Sequence, residues 1–224
     1  MHKLFSLLNS KFTLIASLPA NDYRLAEAAW ENGADAVKVH INVEHRASGT
    51  CFRSFDEEKD NLFKVLETAK GPVGIVAGSD PESAGRDCVK AVEAGFDFIS
   101  IYAHHAPPSL LDVEASRMLA ADYTYSLNEC KLFGEYADIF EASVIAPDLY
   151  GARLHARDLF KYRLVCENTS LPVVVPTQKN ILPSEVKFLR EAGVSAIMIG
   201  AIVTGKTTES FGCAVRTFRD AIGS

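Results

Sequence analysis

Three ionisable side chains interrupt otherwise apolar stretches of the sequence. Lys38 and His40 alternate with branched apolar residues in 36–42 (AVKVHIN), and Glu141 lies within 139–145 (IFEASVI). A buried carboxylate beside an amine can act as a general base, while the amine either stabilises developing negative charge or attacks a carbonyl group. The same two residues could instead form an ion pair that only fills the core, and the sequence leaves both interpretations open.

The adjacent His104 and His105 follow another apolar run, 98–102 (FISIY). His104 continues the alternation of Ser100 and Tyr102, which predicts that it faces the same side of the strand as they do. We interpret His104 as a residue that assists binding or proton transfer, because histidine changes charge near neutral pH.

A metal site would be another use of the histidines. His40, Glu44 and His45 are close in sequence and are residue types that bind metals. The set resembles the metal cluster of pentose-phosphate epimerases, and this resemblance implies a further histidine and aspartate on two other strands. The apolar runs 72–78 and 172–175, which we predict to be those strands, supply neither. We therefore predict no metal ion, and no organic cofactor is expected.

A repeated pattern of strands and helices must position these residues. The stretches ENGADAVKV, EAGFDFISI and EAGVSAIMI repeat one junction, in which a helix ends at glycine and an apolar strand follows. Eight such units follow one another without a linker, which predicts a single (β/α)8 TIM barrel domain over 1–224. Lys38, His40 and Glu141 would then point into the barrel. An open doubly wound sheet is the alternative.

Some boundaries can be predicted from capping residues. Ser54 with Glu57, and Ser126 with Glu129, form the pattern of a capping box at a helix start. We also predict a long helix over 149–166 and a polar loop before Arg53.

Two loops near the C-terminus are candidates for binding an anion. They follow the predicted strands 172–175 and 196–199, and barrels bind phosphate in the loops after their last two strands. The backbone N–H groups at the start of a helix favour negative charge there. An ordinary pair of polar turns is the alternative. The predicted phosphate-binding residues are Gln178, Lys179, Asn180, Gly200, Ala201 and Ile202.

The segment 172–205 (PVVVPTQKNILPSEVKFLREAGVSAIMIGAIVTG) resembles the C-terminal quarter of phosphate-binding TIM barrels such as N-acetylmannosamine-6-phosphate 2-epimerase and thiamine-phosphate synthase. The shared features are a loop after the strand, a Pro-Ser-Glu helix start, an E-x-G junction and a closing strand that ends in Ile-Gly. The usual glycine-rich turn is replaced by residues 177–180, and 77–79 (AGS) lacks the lysine of the epimerase. The resemblance therefore implies phosphate binding more strongly than epimerisation.

The stretch 200–207 (GAIVTGKT) also matches the P-loop pattern of nucleotide triphosphatases. It lies near the end of the sequence, where little chain remains for the rest of such a fold. Nucleotide binding is therefore the weaker alternative for this loop.

The composition excludes several classes of partner. The chain has 224 residues, 48% hydrophobic, and a formal net charge of −6, which argues against a nucleic-acid surface. No run is long enough to span a membrane, and the first ten residues lack a signal-peptide cleavage site. Scattered cysteines without a pairing pattern are typical of a reducing compartment. We expect a cytoplasmic protein without nucleic-acid or membrane partners.

These patterns together predict an enzyme that acts on a small phosphorylated metabolite resembling a sugar phosphate. Isomerase or epimerase chemistry and lyase chemistry both fit a buried amine and carboxylate below a phosphate site. The alternative is a non-catalytic protein that only binds such a metabolite. Self-association into a homo-oligomer is left open.

Overall fold

The structure is a computed structural model that describes residues 3–223. The strands in this part of the chain are β1 (Thr13–Ser17), β2 (Ala36–His40), β3 (Val43–His45), β4 (Thr50–Phe52), β5 (Val73–Val76), β6 (Phe98–Tyr102), β7 (Ser116–Ala121), β8 (Ile139–Ala142), β9 (Val173–Pro176) and β10 (Ala196–Ile199). All except β3 and β4 pair in parallel and close into a barrel in the order β1, β10, β9, β8, β7, β6, β5, β2. This confirms the predicted (β/α)8 TIM barrel.

Helices surround the barrel and bury the outward-facing residues of its strands. Val37, Ile75 and Ile199, for example, are fully buried in the layer between strands and helices. The described α-helices are α1 (Lys3–Ser10), α2 (Tyr23–Glu31), α3 (Phe55–Glu67), α4 (Pro81–Glu93), α5 (Leu127–Tyr136), α6 (Ala156–Asn168), α7 (Val186–Glu191), α8 (Ala201–Thr204) and α9 (Thr208–Ile222). No helix within residues 3–223 is long and apolar enough to cross a membrane.

The barrel interior has an apolar part and a polar part. Helix α1 covers the apolar part with Leu4 and Leu8, which are both buried. The strand residues of this cluster are Ile15, Ala36, Phe98, Met118, Ile139, Val174, Ala196 and Met198. The polar part contains Lys38, His40 and Glu141, which alternate with outward-facing residues as their strand positions predict. The interior is thus a packed core with a polar layer.

The connection after β2 differs from the predicted polar loop. Strands β3 and β4 form an antiparallel hairpin, in which Val43 pairs with Phe52 and His45 with Thr50. The Oγ1 of Thr50 donates to the carbonyl of Pro19 at 2.8 Å, which ties the hairpin to the loop after β1. The hairpin therefore leans over the barrel mouth instead of extending into solvent.

The long helix predicted over 149–166 is wrong at its start. Pro147–Leu149 forms one 3-10 turn, and α6 begins only at Ala156. Gly151 has a φ of 77°, a left-handed conformation that interrupts a right-handed helix. His155 and Asp158 then form the capping box of α6. The capping boxes predicted at Ser54 and Ser126 are present at the starts of α3 and α5.

Candidate functional site

A cavity of about 410 Å³ opens at the carboxyl ends of the barrel strands. Its floor is the polar layer of the interior, and residues from the loops after the strands form its walls. Lys38, His40, Glu141 and His104 line it, as do Gln178, Gly200 and Ile202. In barrels of this kind the catalytic groups lie at this end, so the cavity is the candidate active site.

Lys38 and Glu141 meet at the floor of the cavity from opposite walls of the barrel. The Nζ of Lys38 lies 3.5 Å from Oε2 of Glu141, and both side chains are less than a tenth exposed. The hydroxyl of Ser100 donates to Oε2 at 2.8 Å, and that of Ser143 donates to Oε1 at 2.9 Å. Both carboxylate oxygens are therefore held in place by short hydrogen bonds, whereas the lysine is held only by its charge.

Two histidines stand beside this ion pair. The ring of His40 is buried, stacks on Phe52 at 4.8 Å between centroids, and lies 4.5 Å from the ring of His45. Burial lowers the pKa of His40 well below its ordinary value, and nearby His45 and Lys38 lower it further. Burial and the charge of Lys38 also lower the pKa of His45, to about 4. Both rings are therefore neutral at pH 7.

His45 is a site residue that the sequence did not single out for catalysis. Its Nδ1 lies 2.8 Å from Oγ of the buried Ser48, while its Nε2 makes no hydrogen bond within the described structure. The hairpin carries this ring into the cavity. The turn-type residues RASG between VEH and TCF are the sequence signal for this hairpin, and it is weak because each flank has only three residues.

The lowered pKa of His45 predicts a loss of stability in mild acid. Between pH 6.5 and 4 the unfolded chain binds a proton at His45 that the folded protein does not, so unfolding is favoured as pH falls. At pH 5 the effect of this one group is at most about 2 kcal/mol. Urea denaturation at pH 7 and pH 5 should show a smaller pH dependence for His45→Gln than for the unchanged protein. Equal losses in both proteins would contradict the assignment.

The rim of the cavity is formed by aromatic residues and by Arg46. The guanidinium of Arg46, in the hairpin turn, lies 5.8 Å from the ring centroid of Tyr150, in the loop after β8. Arg46 forms no ion pair within residues 3–223, and it lines the cavity. Burial and nearby Tyr150 and Glu141 raise the pKa of Tyr102, which therefore stays protonated. The hairpin thus spans the mouth and presents a positive charge to it.

His104 reaches the mouth as predicted, but it does so from a 3-10 turn (Ala103–His105) that follows β6. Its ring stacks on Tyr102 at 5.2 Å between centroids, and its Nδ1 lies 3.3 Å from the hydroxyl of Tyr125. His105 lines the cavity too. Neither ring contacts the floor pair, so these histidines belong to the rim.

Of the three candidate phosphate-binding residues in the loop after β9, Gln178 lines the cavity and the other two do not. Gln178 faces the cavity, but its side chain is already occupied: Nε2 donates to the carbonyl of Ser143 at 3.0 Å, and Oε1 accepts from the N–H of Ile145 at 3.1 Å. Lys179 is fully buried on the other side, where Nζ lies 3.5 Å from Oδ2 of Asp158. Asn180 does not line the cavity either. The side chains of Gln178 and Lys179 therefore hold neighbouring segments in place and are not free to donate hydrogen bonds to a ligand.

The loop after β10 turns directly into α8, which the sequence did not predict. The N–H of Gly200 donates to Oγ1 of Thr177 at 3.0 Å, while Ala201 and Ile202 are the first residues of the helix and have no acceptor within it. Gly200 and Ile202 line the cavity. Thr204 and Gly205 donate their N–H groups to helix carbonyls, so 200–207 does not form the open amide cradle of a P-loop.

Within residues 3–223, no group of three or more His, Cys, Asp or Glu side chains is arranged to hold a metal ion. His40 and His45 are close to each other, but each packs against an aromatic ring instead of converging with a carboxylate.

No protein-family model and no curated protein matches the sequence. Solved structures do resemble it. Thiamine phosphate pyrophosphorylase from Pyrococcus furiosus is 18% identical, with 96% of this chain and 97% of that chain covered and a TM-score of 0.66. N-acetylmannosamine-6-phosphate 2-epimerase from Clostridium perfringens is 15% identical, with 90% and 91% covered and a TM-score of 0.64.

A chain of the tryptophan synthase complex from Pyrococcus furiosus is 14% identical, with 97% and 99% covered and a TM-score of 0.71. These likenesses establish the barrel fold alone. Both barrel types named from segment 172–205 are among the similar structures. The chemistry must be inferred from the residues of this cavity.

Proposed function

We propose that the protein is an enzyme that moves a proton on a small phosphorylated carbonyl compound, with Glu141 as the base. One observation carries the proposal: an amine and a carboxylate meet at the floor of an open cavity, 3.5 Å apart. A purely structural pair would not need to end in a cavity of about 410 Å³. Buried acids and bases facing a cleft are typical of sites of proton transfer.

The surroundings of Glu141 suit a base. The hydroxyls of Ser100 and Ser143 fix the plane of its carboxylate, so little reorganisation is needed when it takes a proton. The charge of Lys38 is close to where a substrate oxygen would become negative as the adjacent carbon loses its proton. The neutral ring of His45 can donate or accept a hydrogen bond through its free Nε2.

The phosphate end of the substrate has two supports. Ile202 lines the cavity, and its backbone N–H, in the first turn of the four-residue helix α8, has no acceptor within that helix. Arg46 supplies an unpaired guanidinium from the hairpin that spans the mouth. We therefore propose that the phosphate lies between α8 and the hairpin. Lys179 and Asn180, which face away from the cavity, are not included.

Two reaction types use the same groups. Return of the proton to the same or a neighbouring carbon gives an isomerase or epimerase, whereas cleavage of a carbon–carbon bond with protonation of the product gives a lyase. A panel of sugar and triose phosphates, tested first for thermal stabilisation and then for turnover, would separate them.

Deuterium exchange tests the proposed base directly. Compounds that raise the melting temperature are incubated with the protein in D2O, and loss of the C–H signal is followed by NMR. Glu141→Gln keeps the shape of the side chain and one of its two acceptor oxygens but cannot take a proton, so exchange should fall by about 10²–10⁴-fold. Glu209→Gln, an exposed glutamate on α9 outside the cavity, should exchange at the normal rate.

Unchanged deuterium exchange in Glu141→Gln would contradict the proposal. If Glu141→Gln folds, is stabilised by the same compound and exchanges as fast as the unchanged protein, Glu141 is only structural. If compounds bind but none is exchanged or converted, the protein is a phosphometabolite-binding protein without catalysis.

A further inference from the structure

We propose that Lys38 forms a covalent imine with the aldehyde or ketone carbonyl of the ligand in this cavity. The inference rests on the proposed function, since it concerns the same cavity and a carbonyl ligand. It goes further by assigning a covalent step and a nucleophile.

Lys38 is accessible to a ligand in the cavity. The side chain of Lys38 is only 6% exposed, and yet it lines the cavity. On the neighbouring strand it pairs with Ser17, a small residue that also lines the cavity. A substrate that enters from the mouth therefore meets the amine at the floor, while bulk water is largely excluded from the lysine stem.

The amine of Lys38 is loosely held. Its Nζ makes no hydrogen bond within residues 3–223, and its one ionic partner, Glu141, is 3.5 Å away. Both oxygens of that carboxylate already accept hydrogen bonds from serine hydroxyls. An imine-forming lysine must give up a proton and turn its lone pair to a carbonyl carbon, and nothing here holds its nitrogen in another direction.

Lys179 provides an internal comparison. It also is buried, and its Nζ also lies 3.5 Å from one carboxylate, that of Asp158. Lys179 does not line the cavity, however, and it is 0% exposed. Both lysines are thus buried and paired with one carboxylate at the same distance, but Lys38 alone of the two reaches the cavity. The proposal therefore predicts covalent reaction at Lys38 and none at Lys179.

The step is balanced without any further reagent. Glu141 takes one proton from the ammonium group, and the freed lone pair attacks the carbonyl carbon to form the C–N bond. The carbonyl oxygen receives that proton, and a second proton passes from nitrogen to oxygen as water leaves. The ammonium and carbonyl groups become an iminium group and one water molecule, with unchanged total charge. The iminium then withdraws electrons from the adjacent carbon, which lets Glu141 remove its proton.

Borohydride trapping tests the step. The protein is incubated with dihydroxyacetone phosphate or glyceraldehyde 3-phosphate, sodium borohydride is added, and the modified lysine is located by mass spectrometry of peptides. Reduction converts an imine to a stable secondary amine. We expect the label at Lys38 and none at Lys179. Lys38→Met should lose the cavity label, whereas Lys179→Met should retain it.

Two further variants keep the test decisive if Lys38→Met does not fold. Lys38→Arg keeps a positive charge beside Glu141 but cannot form an imine, so a folded Lys38→Arg protein should lose the label and the deuterium exchange together. Normal exchange in Lys38→Arg, or an unlabelled Lys38 in the active protein, would overturn the imine. If deuterium exchange depends on Glu141 but Lys38 is not labelled by borohydride, the imine is wrong and the proposed proton transfer stands. If Lys38 is labelled but no deuterium exchange occurs, the proposed proton transfer is wrong instead.

Discussion

Gly74→Ala is expected to lower the free energy of unfolding by about 3 kcal/mol or more, because it places an extra carbon where the core is already full. A Cβ at this position would lie 2.1 Å from Cε2 of Phe98. Phe98 is fully buried and belongs to the apolar cluster that α1 closes. Neither the ring nor the strand can move away without disturbing the barrel.

Urea denaturation of matched variants measures this effect. Phe98→Leu removes the ring and should be destabilising alone, but it should recover part of the stability lost in Gly74→Ala when both changes are combined. Gly85→Ala is the control, because its nearest neighbour would lie 3.4 Å away and α4 favours alanine over glycine. If Gly74→Ala unfolds at the normal urea concentration, the packing described for the interior is wrong.

The barrel itself was predictable because its signals are local and repeated. In β2 the alternation of polar and apolar residues correctly predicts that Lys38 and His40 enter the interior, since neighbouring side chains on a strand point to opposite faces. In β8 the same rule applies to Glu141. Once the barrel closes, β2 and β8 face each other across its interior, so the meeting of Lys38 and Glu141 follows from the fold.

Side-chain directions outside the strands were not predictable in this way. Residue 179 follows the last strand residue by three positions, and its direction is set by Asp158 on a helix distant in sequence. The start of α6 likewise depends on Gly151, whose left-handed conformation occurs in a turn held by the N–H of Gly151 to the carbonyl of Gln178. Such contacts join separate loops, and a strand period carries no information about them.

The hairpin of β3 and β4 was not predicted from the sequence for a different reason. Its strands are three residues each, shorter than a period-based reading can distinguish from a loop. Its importance comes from position, because His45 and Arg46 enter the cavity only when the turn folds over the mouth. The sequence therefore predicted the residues at the floor of the cavity but not the hairpin that lies over its mouth.

The buried pair of Lys179 and Asp158 gives the second large expected effect. Asp158→Asn should lower the free energy of unfolding by about 3–5 kcal/mol, because it leaves a buried ammonium group without a compensating charge. Asp158 is 1% exposed and Lys179 is 0% exposed, so water cannot replace the lost partner. Within residues 3–223 no other carboxylate lies within 4.0 Å of this nitrogen.

The double variant Lys179→Met/Asp158→Asn separates lost charge pairing from damage to the helix start. Asp158 also accepts a hydrogen bond from the N–H of His155 at 3.2 Å, a contact that asparagine can retain through its side-chain oxygen. If the uncompensated ammonium is the cause, removing it as well should make the double variant more stable than Asp158→Asn alone. Chemical denaturation at pH 7 measures the free energy of unfolding of the unchanged protein, Asp158→Asn and the double variant. In a separate measurement, Lys179→Met should leave phosphate-induced thermal stabilisation unchanged because Lys179 faces away from the cavity. Equal stability of the single and double variants would show that the charge of Lys179 is not what Asp158 compensates, and weaker stabilisation by phosphate in Lys179→Met would return this lysine to the anion site.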